Sequence, residues 1–395
     1  MGKLVARTNP MKLNFKTITF VCNHSRLGGD NISMLEVIQG LKQFGIQSTV
    51  ILPERGLVEK KLNQLEINYR IIDNKIKKNT NKVQMFITLF KYLHTILKFK
   101  TDILHSNDIH CNKYVGWAAR ILNKSTVCHI RFKVDYLQAQ YYLTPMPDHI
   151  IFNSQFMRDE FIKHSQIERK NRSSVIYDPI RSENYFKPEF RTFIREKWNA
   201  KEKFVIGIIG NICKAKGHYE FIKIVKILNR SFDDFLFVII GEDISEDKVH
   251  MDTIMNLITS YGVKDNIIFN GIEEDIAKVL SGLDLMVFPS HFESFGRVVI
   301  EALLAKVPVV ASRVGGLQEI LKINPAARLV TLENIQGFVD EIIELRRLIE
   351  KTDKQIGSKG RKKVLEQFSF DFAIQDLVRC YQKITIKTPW KRSNG

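Results

Sequence analysis

Short apolar runs alternate with stretches in which apolar residues recur every three or four positions, and this alternation appears as two series along the chain. The first series opens with the run from Thr17 to Cys22, turns through Asn23 to Asn31, and continues as a helical pattern from Ile32 to Phe44 before the run from Gln47 to Leu52. Further runs follow at 103–105, 126–130, 149–152 and 174–177. The second series begins with Phe204 to Gly210 and returns at 235–241, 266–271 and 283–288, with helical patterns after Glu333. Short strands separated by amphipathic helices predict parallel sheets covered on both faces, so the fold class is α/β. The polar, proline-bearing stretch through Asp178-Pro179 and Tyr185-Phe-Lys-Pro188 reads as the linker between the series.

Composition adds size and charge. With 395 residues, 44% of them apolar, the chain is long enough for two globular domains. The net charge of +17 is uneven: residues 1–190 hold 29 Lys and Arg against 16 Asp and Glu, whereas residues 191–395 hold 31 against 27. The densest basic region runs from Lys75 to Lys100, where Lys91, Lys98 and Lys100 interleave with Phe86, Phe90 and Leu93 at helical spacing. Such a segment is too short and charged to span a bilayer. It either lies on an anionic membrane surface or buries one face in a core and leaves its lysines in water. No helix-turn-helix, RNP or zinc-knuckle pattern accompanies the charge, so nucleic acid is not an expected partner. Five cysteines (Cys22, Cys111, Cys128, Cys213, Cys380) include no C-x-x-C pair and leave an odd count, which predicts reduced thiols and a cytoplasmic setting. The first apolar run is only strand length, and the expectation is a chain with neither signal peptide nor membrane span.

The candidate chemistry centres on His291-Phe-Glu-Ser-Phe-Gly-Arg-Val-Val-Ile-Glu-Ala302. The strand before it stops at Pro289-Ser290, which places Glu293 on a loop and Glu301 on the helix after Gly296. Eight residues at about 100° each return to within roughly 80° of the same direction, so both carboxylates can face one cleft at the strand's carboxyl end. Backbone N–H groups from Ser294 through Phe295 and Gly296 to Arg297, with the positive helix end, suit a diphosphate. The carboxylates suit vicinal hydroxyls of a ribose and a hexose. Gly28-Gly29, in the first βα turn, lets backbone approach a ligand closely.

This pattern resembles the retaining glycosyltransferases of family four. The resemblance includes Val309-Val-Ala-Ser-Arg-Val-Gly-Gly-Leu-Gln-Glu-Ile320, Gly210 followed by Lys216-Gly217, and Phe368-Ser-Phe-Asp371, and it covers roughly residues 15 to 385. It implies the GT-B fold, two Rossmann-like domains facing across a cleft: an acceptor-side domain at 1–188, a nucleotide-sugar domain at 189–370, and a final helix in 371–395 crossing back. It implies a UDP- or GDP-linked sugar donor, a saccharide or lipid-linked acceptor in envelope polysaccharide synthesis, and metal-independent transfer without a cofactor. Glu293 would position the donor sugar, Glu301 hold the ribose, Lys216 neutralise the diphosphate and Gly271 border the base. Arg131 stands where relatives place a histidine beside the transferred sugar. His129, on the same strand face, and Asn107 and Asp108, after the neighbouring strand, would lie on the acceptor side. Asn211 stands where relatives usually carry arginine, and Lys306 where they carry glycine. A soluble transferase for a small molecule or protein, or a silent sugar-nucleotide binder, would share the same fold.

Overall fold

The computed structural model describes residues 13–73, 82–168, 171–245, 247–352 and 355–385, which divide into two compact units. Unit 1 comprises the described residues of Met1–Asn153, Glu160–Ile176 and Asp371–Gly395; unit 2 comprises Ser154–Asp159 and Tyr177–Phe370. The structural boundary falls at Ile176/Tyr177, earlier than the 188 read from the proline-bearing stretch. The reason is Tyr177, whose ring stacks on Phe295 at 5.8 Å and meets Phe368 edge-on at 5.1 Å, which draws the linker into unit 2.

Among the described residues, unit 1 has seven parallel strands: β1 (Thr17–Val21), β2 (Gln47–Leu52), β3 (Tyr69–Ile71), β4 (Ile103–Ser106), β5 (Ser125–Ile130), β6 (His149–Phe152) and β7 (Ser173–Val175). Their order is β3-β2-β1-β4-β5-β6-β7. Unit 2 has β8 (Phe204–Ile209), β9 (Phe235–Ile240), β10 (Ile267–Gly271), β11 (Leu285–Phe288), β12 (Val309–Ser312) and β13 (Ala327–Val330), in the order β10-β9-β8-β11-β12-β13. Both are mixed α/β units whose strand order reverses once, between β1 and β4 and between β8 and β11. A ligand crevice is expected outside the carboxyl ends of the strands at such points.

The strands are apolar throughout because each sheet is covered on both faces. In unit 2, Leu236, Val238 and Ile240 enter one core while Phe235, Phe237 and Ile239 enter the other. Aspartates set the starts of the strands: Asp102 accepts from Lys16 N and Thr17 N at 2.7 and 3.0 Å, and Asp284 accepts from Val205 N at 2.9 Å. Asp284 also takes Arg191 and Arg195, which outweigh its burial and lower its pKa.

The expected strands all form, within one or two residues of their predicted ends. The additional strands are β3, β12 and β13, of which β3 and β13 are edge strands only partly buried. The helix after the first turn begins at Gly29, earlier than Ile32, and the basic-apolar helix spans Lys82–Lys98. Lys75, Lys77 and Lys78 lie outside the described residues.

Candidate active site

In unit 2, the loops after β8 and β11 meet at the reversal of strand order. The turn Lys214–Lys216 leads into the helix His218–Ser231, and Lys216 Nζ lies 2.6 Å from Glu293 Oε2. Glu293 is largely buried and Lys216 about one third exposed, whereas Lys214 is exposed. The backbone fixes this meeting. Gly217 has φ +75°, and a Cβ on it would stand 1.8 Å from Pro289 O; His291 N then donates to Ala215 O at 2.9 Å. Only a glycine lets the two loops come this close.

Glu293 is backed from the other side by the turn after β12. Its carbonyl accepts from Gly316 N at 2.9 Å, and a Cβ on Gly315, at φ +52°, would stand 2.0 Å from the same oxygen. Ser294 O accepts from Ser154 Oγ at 2.6 Å. These bonds use the carbonyls of residues 293 and 294, so the N–H groups of Phe295 and Gly296 are not consumed by them. The Phe295 ring is buried, between Tyr177 and Phe368. Gly296 adopts φ +88° as it starts the helix Arg297–Leu304.

On that helix, Glu301 is 6% exposed and its Oε1 accepts from Arg297 Nε at 2.8 Å and Tyr185 OH at 2.9 Å. Arg297 also donates to Pro179 O at 3.1 Å and to Tyr185 OH at 3.2 Å. Both of these bonds to Glu301 fall on Oε1, and the second oxygen of a carboxylate can accept from a ligand hydroxyl. Gly210 follows the end of β8, and Asn211 beyond it is exposed. Gly271 ends β10, with its carbonyl accepting from Gly241 N at 3.0 Å. His218, buried at the start of its helix, has its pKa lowered to about 4 by burial and is neutral.

In unit 1, the segments after β1, β4 and β5 are joined by a chain of side-chain hydrogen bonds. Arg131 donates to Asn107 O at 2.6 Å and Asn107 Oδ1 at 2.9 Å, and Asn107 Nδ2 donates to Asn31 Oδ1 at 3.1 Å. Asn31 Nδ2 in turn donates to His24 O and Arg26 O. Gly28 caps this helix, and His24 Nε2 lies 3.1 Å from Asp30 Oδ2, an interaction that raises the histidine pKa. Asp108 accepts from His110 N at 2.7 Å and from the His110 ring at 2.6 Å, and so caps the turn Ile109–Cys111.

His129 is 5% exposed, with its ring 5.8 Å from that of His105. Burial lowers the pKa of both, His105 to about 3, and His105 Nδ1 shares a 2.6 Å hydrogen bond with Tyr381 OH on the helix Phe370–Thr385. The structure thus gathers Arg131 with Asn107 and sets His129 among core rings. Among the described residues, no three His, Cys, Asp or Glu side chains converge as a metal site.

Sequence reasoning passed over Tyr185, Asn31, the His24–Asp30 pair and the bracing glycines 315 and 316. Tyr185 reaches Glu301 across 116 positions and Asn31 reaches Asn107 across 76, separations at which no periodicity carries a signal. The Gly-Gly pair was visible, but its role is defined only by the loop it touches.

The description "Glycosyl transferases group 1" matches residues 190–363, and "Glycosyltransferase Family 4" matches residues 27–184. The chain is 25% identical over 222 residues to the N-acetyl-alpha-D-glucosaminyl L-malate synthase of Bacillus anthracis, covering 56% of each chain. It is 21% identical over 375 residues to an Escherichia coli UDP-Gal:alpha-D-GlcNAc-diphosphoundecaprenol alpha-1,3-galactosyltransferase, covering 88% of this chain and 94% of that one. It spans about half the length of several other curated relatives it matches. Anabaena HepE, solved with UDP-glucose, shares the fold at a TM-score of 0.81 and 20% identity, over 93% of this chain and 99% of that one. With one family match in each unit and the two parallel sheets shared with solved glycosyltransferases, the chain belongs to the group 1, family-four glycosyltransferases of the GT-B fold.

Proposed function

We propose that the protein transfers a hexose, with retention of anomeric configuration and without a metal, from a UDP- or GDP-linked donor to a lipid-linked saccharide of envelope polysaccharide synthesis. The observation that carries the donor assignment is the 2.6 Å pairing of Lys216 with Glu293 at the strand-order reversal of unit 2. An ammonium has three donors, so Lys216 can hold Glu293 with one and a phosphate oxygen with another. The start of the helix Arg297–Leu304 offers N–H groups to the same diphosphate. Glu293 then accepts from the sugar hydroxyls, and Glu301, fixed by Arg297 and Tyr185, accepts from the ribose.

In the transfer, the bond from C1 of the sugar to the diphosphate oxygen breaks and a bond from the acceptor oxygen to C1 forms on the same face. The acceptor proton passes to the departing phosphate. Negative charge gathers on that phosphate, where Lys216 stabilises it most. The loops of unit 1 that hold Asn107, Asp108 and Arg131 receive the acceptor. The lipid-linked acceptor, met at an anionic membrane surface, draws support from the Escherichia coli relative, whose name gives a diphosphoundecaprenol acceptor. The test is incubation with a panel of nucleotide sugars and a lipid-diphosphate saccharide, following release of free nucleotide diphosphate. One donor should be turned over in preference to the rest, with glycosylated lipid as product. Failure to bind any nucleotide diphosphate would reject the reading.

A further inference from the structure

The helix Lys82–Lys98 buries Thr88, Tyr92, Thr95 and Ile96 and turns Val83, Phe86, Ile87, Phe90 and Leu97 outward, each between 49% and 71% exposed. Positions 83, 87, 90, 94 and 97 keep the alternating spacing of a single helix face, so the exposed residues form one stripe, with His94 inside it. The neighbouring helix Asn112–Leu122, joined to it by Tyr92 stacked on Tyr114 at 5.6 Å, adds Trp117 and Ile121 at 43% and 56% exposure. The helix Tyr136–Tyr142 adds Leu137 at 76%. An apolar surface gathered in this way marks an interaction site.

Its charge says with what. Lys82, Lys91, Lys98, Lys113, Arg120 and Lys124 stand on or beside the same helices. Across residues 82–142 the acidic residues are Asp102, Asp108 and Asp135, engaged with Lys16 N and Thr17 N, with His110 and with Gln138 N respectively. A second copy docked about a two-fold axis would set this cationic face against itself. Anionic lipid complements it: apolar and Trp side chains enter the interface while lysines extend to headgroup phosphate. Among the described residues no helix is long and apolar enough to cross a membrane, so the contact is a lateral one.

We infer that the outward faces of the helices at 82–98, 112–122 and 136–142 form a docking surface for an anionic bilayer. The surface adjoins the acceptor loops: the helix at 112–122 follows the turn capped by Asp108, and the helix at 136–142 follows the loop bearing Arg131. Lys113 Nζ, 3.1 Å from the centre of the Tyr141 ring, links the beginning of one helix to the end of the other. The inference rests on the lipid-linked acceptor proposed above for its purpose, and on the exposed stripe for its chemistry.

The experiment is co-sedimentation of the full chain with vesicles of phosphatidylcholine alone or mixed equally with phosphatidylglycerol, at low and moderate salt. Wild type should pellet with the mixed vesicles and not with the neutral ones. A triple substitution Phe86→Ser, Phe90→Ser, Leu97→Ser and a double substitution Lys91→Gln, Lys98→Gln should each lower partitioning about tenfold or more. Both variants should keep wild-type affinity for the nucleotide diphosphate, which confirms their fold. Indifference of wild type to phosphatidylglycerol, or equal pelleting of the triple variant, overturns the docking surface. So does a wild-type dimer in light scattering that the triple substitution dissociates without any vesicle binding. Nucleotide affinity measured on the same samples separates the two readings, since its absence in wild type sinks sugar transfer and leaves the vesicle result standing.

Discussion

The two units solve the same topological problem differently. Each places loops at a reversal of strand order, yet unit 2 joins its loops through backbone packed at glycines, while unit 1 joins them through buried amide side chains. In unit 2, Gly217 abuts Pro289 and Gly315 abuts Glu293, and one ion pair, Lys216 with Glu293, crosses the junction. In unit 1, hydrogen bonds among Asn31, Asn107 and Arg131 carry the connection. Backbone contact permits one shape and suits a ligand part that does not vary, such as a diphosphate. Side-chain amides can be exchanged residue by residue, which suits the partner that differs between relatives.

The largest effect expected from this contrast is at Gly217. Gly217→Ala adds a Cβ into Pro289 O as well as strain at φ +75°, and should cost more than about 2 kcal/mol in urea unfolding. Gly45→Ala in unit 1, at φ +70° with nothing within 4 Å, should cost only about 1 kcal/mol. Equal costs would mean that the close approach of the two loops is not what Gly217 provides.

Next comes the ion pair. Lys216→Ala should lower turnover by about 10²- to 10³-fold, as loss of a group that stabilises charge developing in the transition state does, while exposed Lys214→Ala should have little effect. Small, matching effects from the two would return Lys216 to an ordinary surface lysine. A smaller change is expected in unit 1. Asn107→Ala leaves Arg131 and Asn31 short of a partner and should destabilise by about 1 to 3 kcal/mol. It should raise the apparent KM for the acceptor and leave nucleotide affinity unaltered, and a weakened nucleotide affinity would erase the division of labour between the units.

The same contrast explains what was legible in the sequence. Strands buried on both faces announce themselves as continuous apolar runs, and ten were readable; β3 and β13, edge strands carrying Arg70 and Arg328, lack that signal, and β12 was not read as a strand. The donor loops were readable because backbone requirements leave glycines at fixed offsets beside the two glutamates. Glu301's actual partners, Arg297 four positions before it and Tyr185 far upstream, were not read. His129 shares strand alternation with Arg131, and alternation alone could not tell the ring packed near His105 from the guanidinium held by Asn107. Phe86 and Phe90 face outward while Leu93 packs inward, a division that depends on which neighbouring helix covers the stripe.

The central claim is that unit 2 holds a nucleotide diphosphate through Glu301 and the loops at residues 210–217 and 293–297. Calorimetric titration of wild type, Glu301→Gln and Asn107→Ala with UDP and with GDP tests it most directly. Loss of the charged acceptor should cost Glu301→Gln about 1.5 to 3 kcal/mol, a drop of roughly tenfold to a hundredfold in affinity for the preferred nucleotide, while Asn107→Ala binds as wild type does. Unchanged affinity in Glu301→Gln, or an equal loss in Asn107→Ala, would contradict the account.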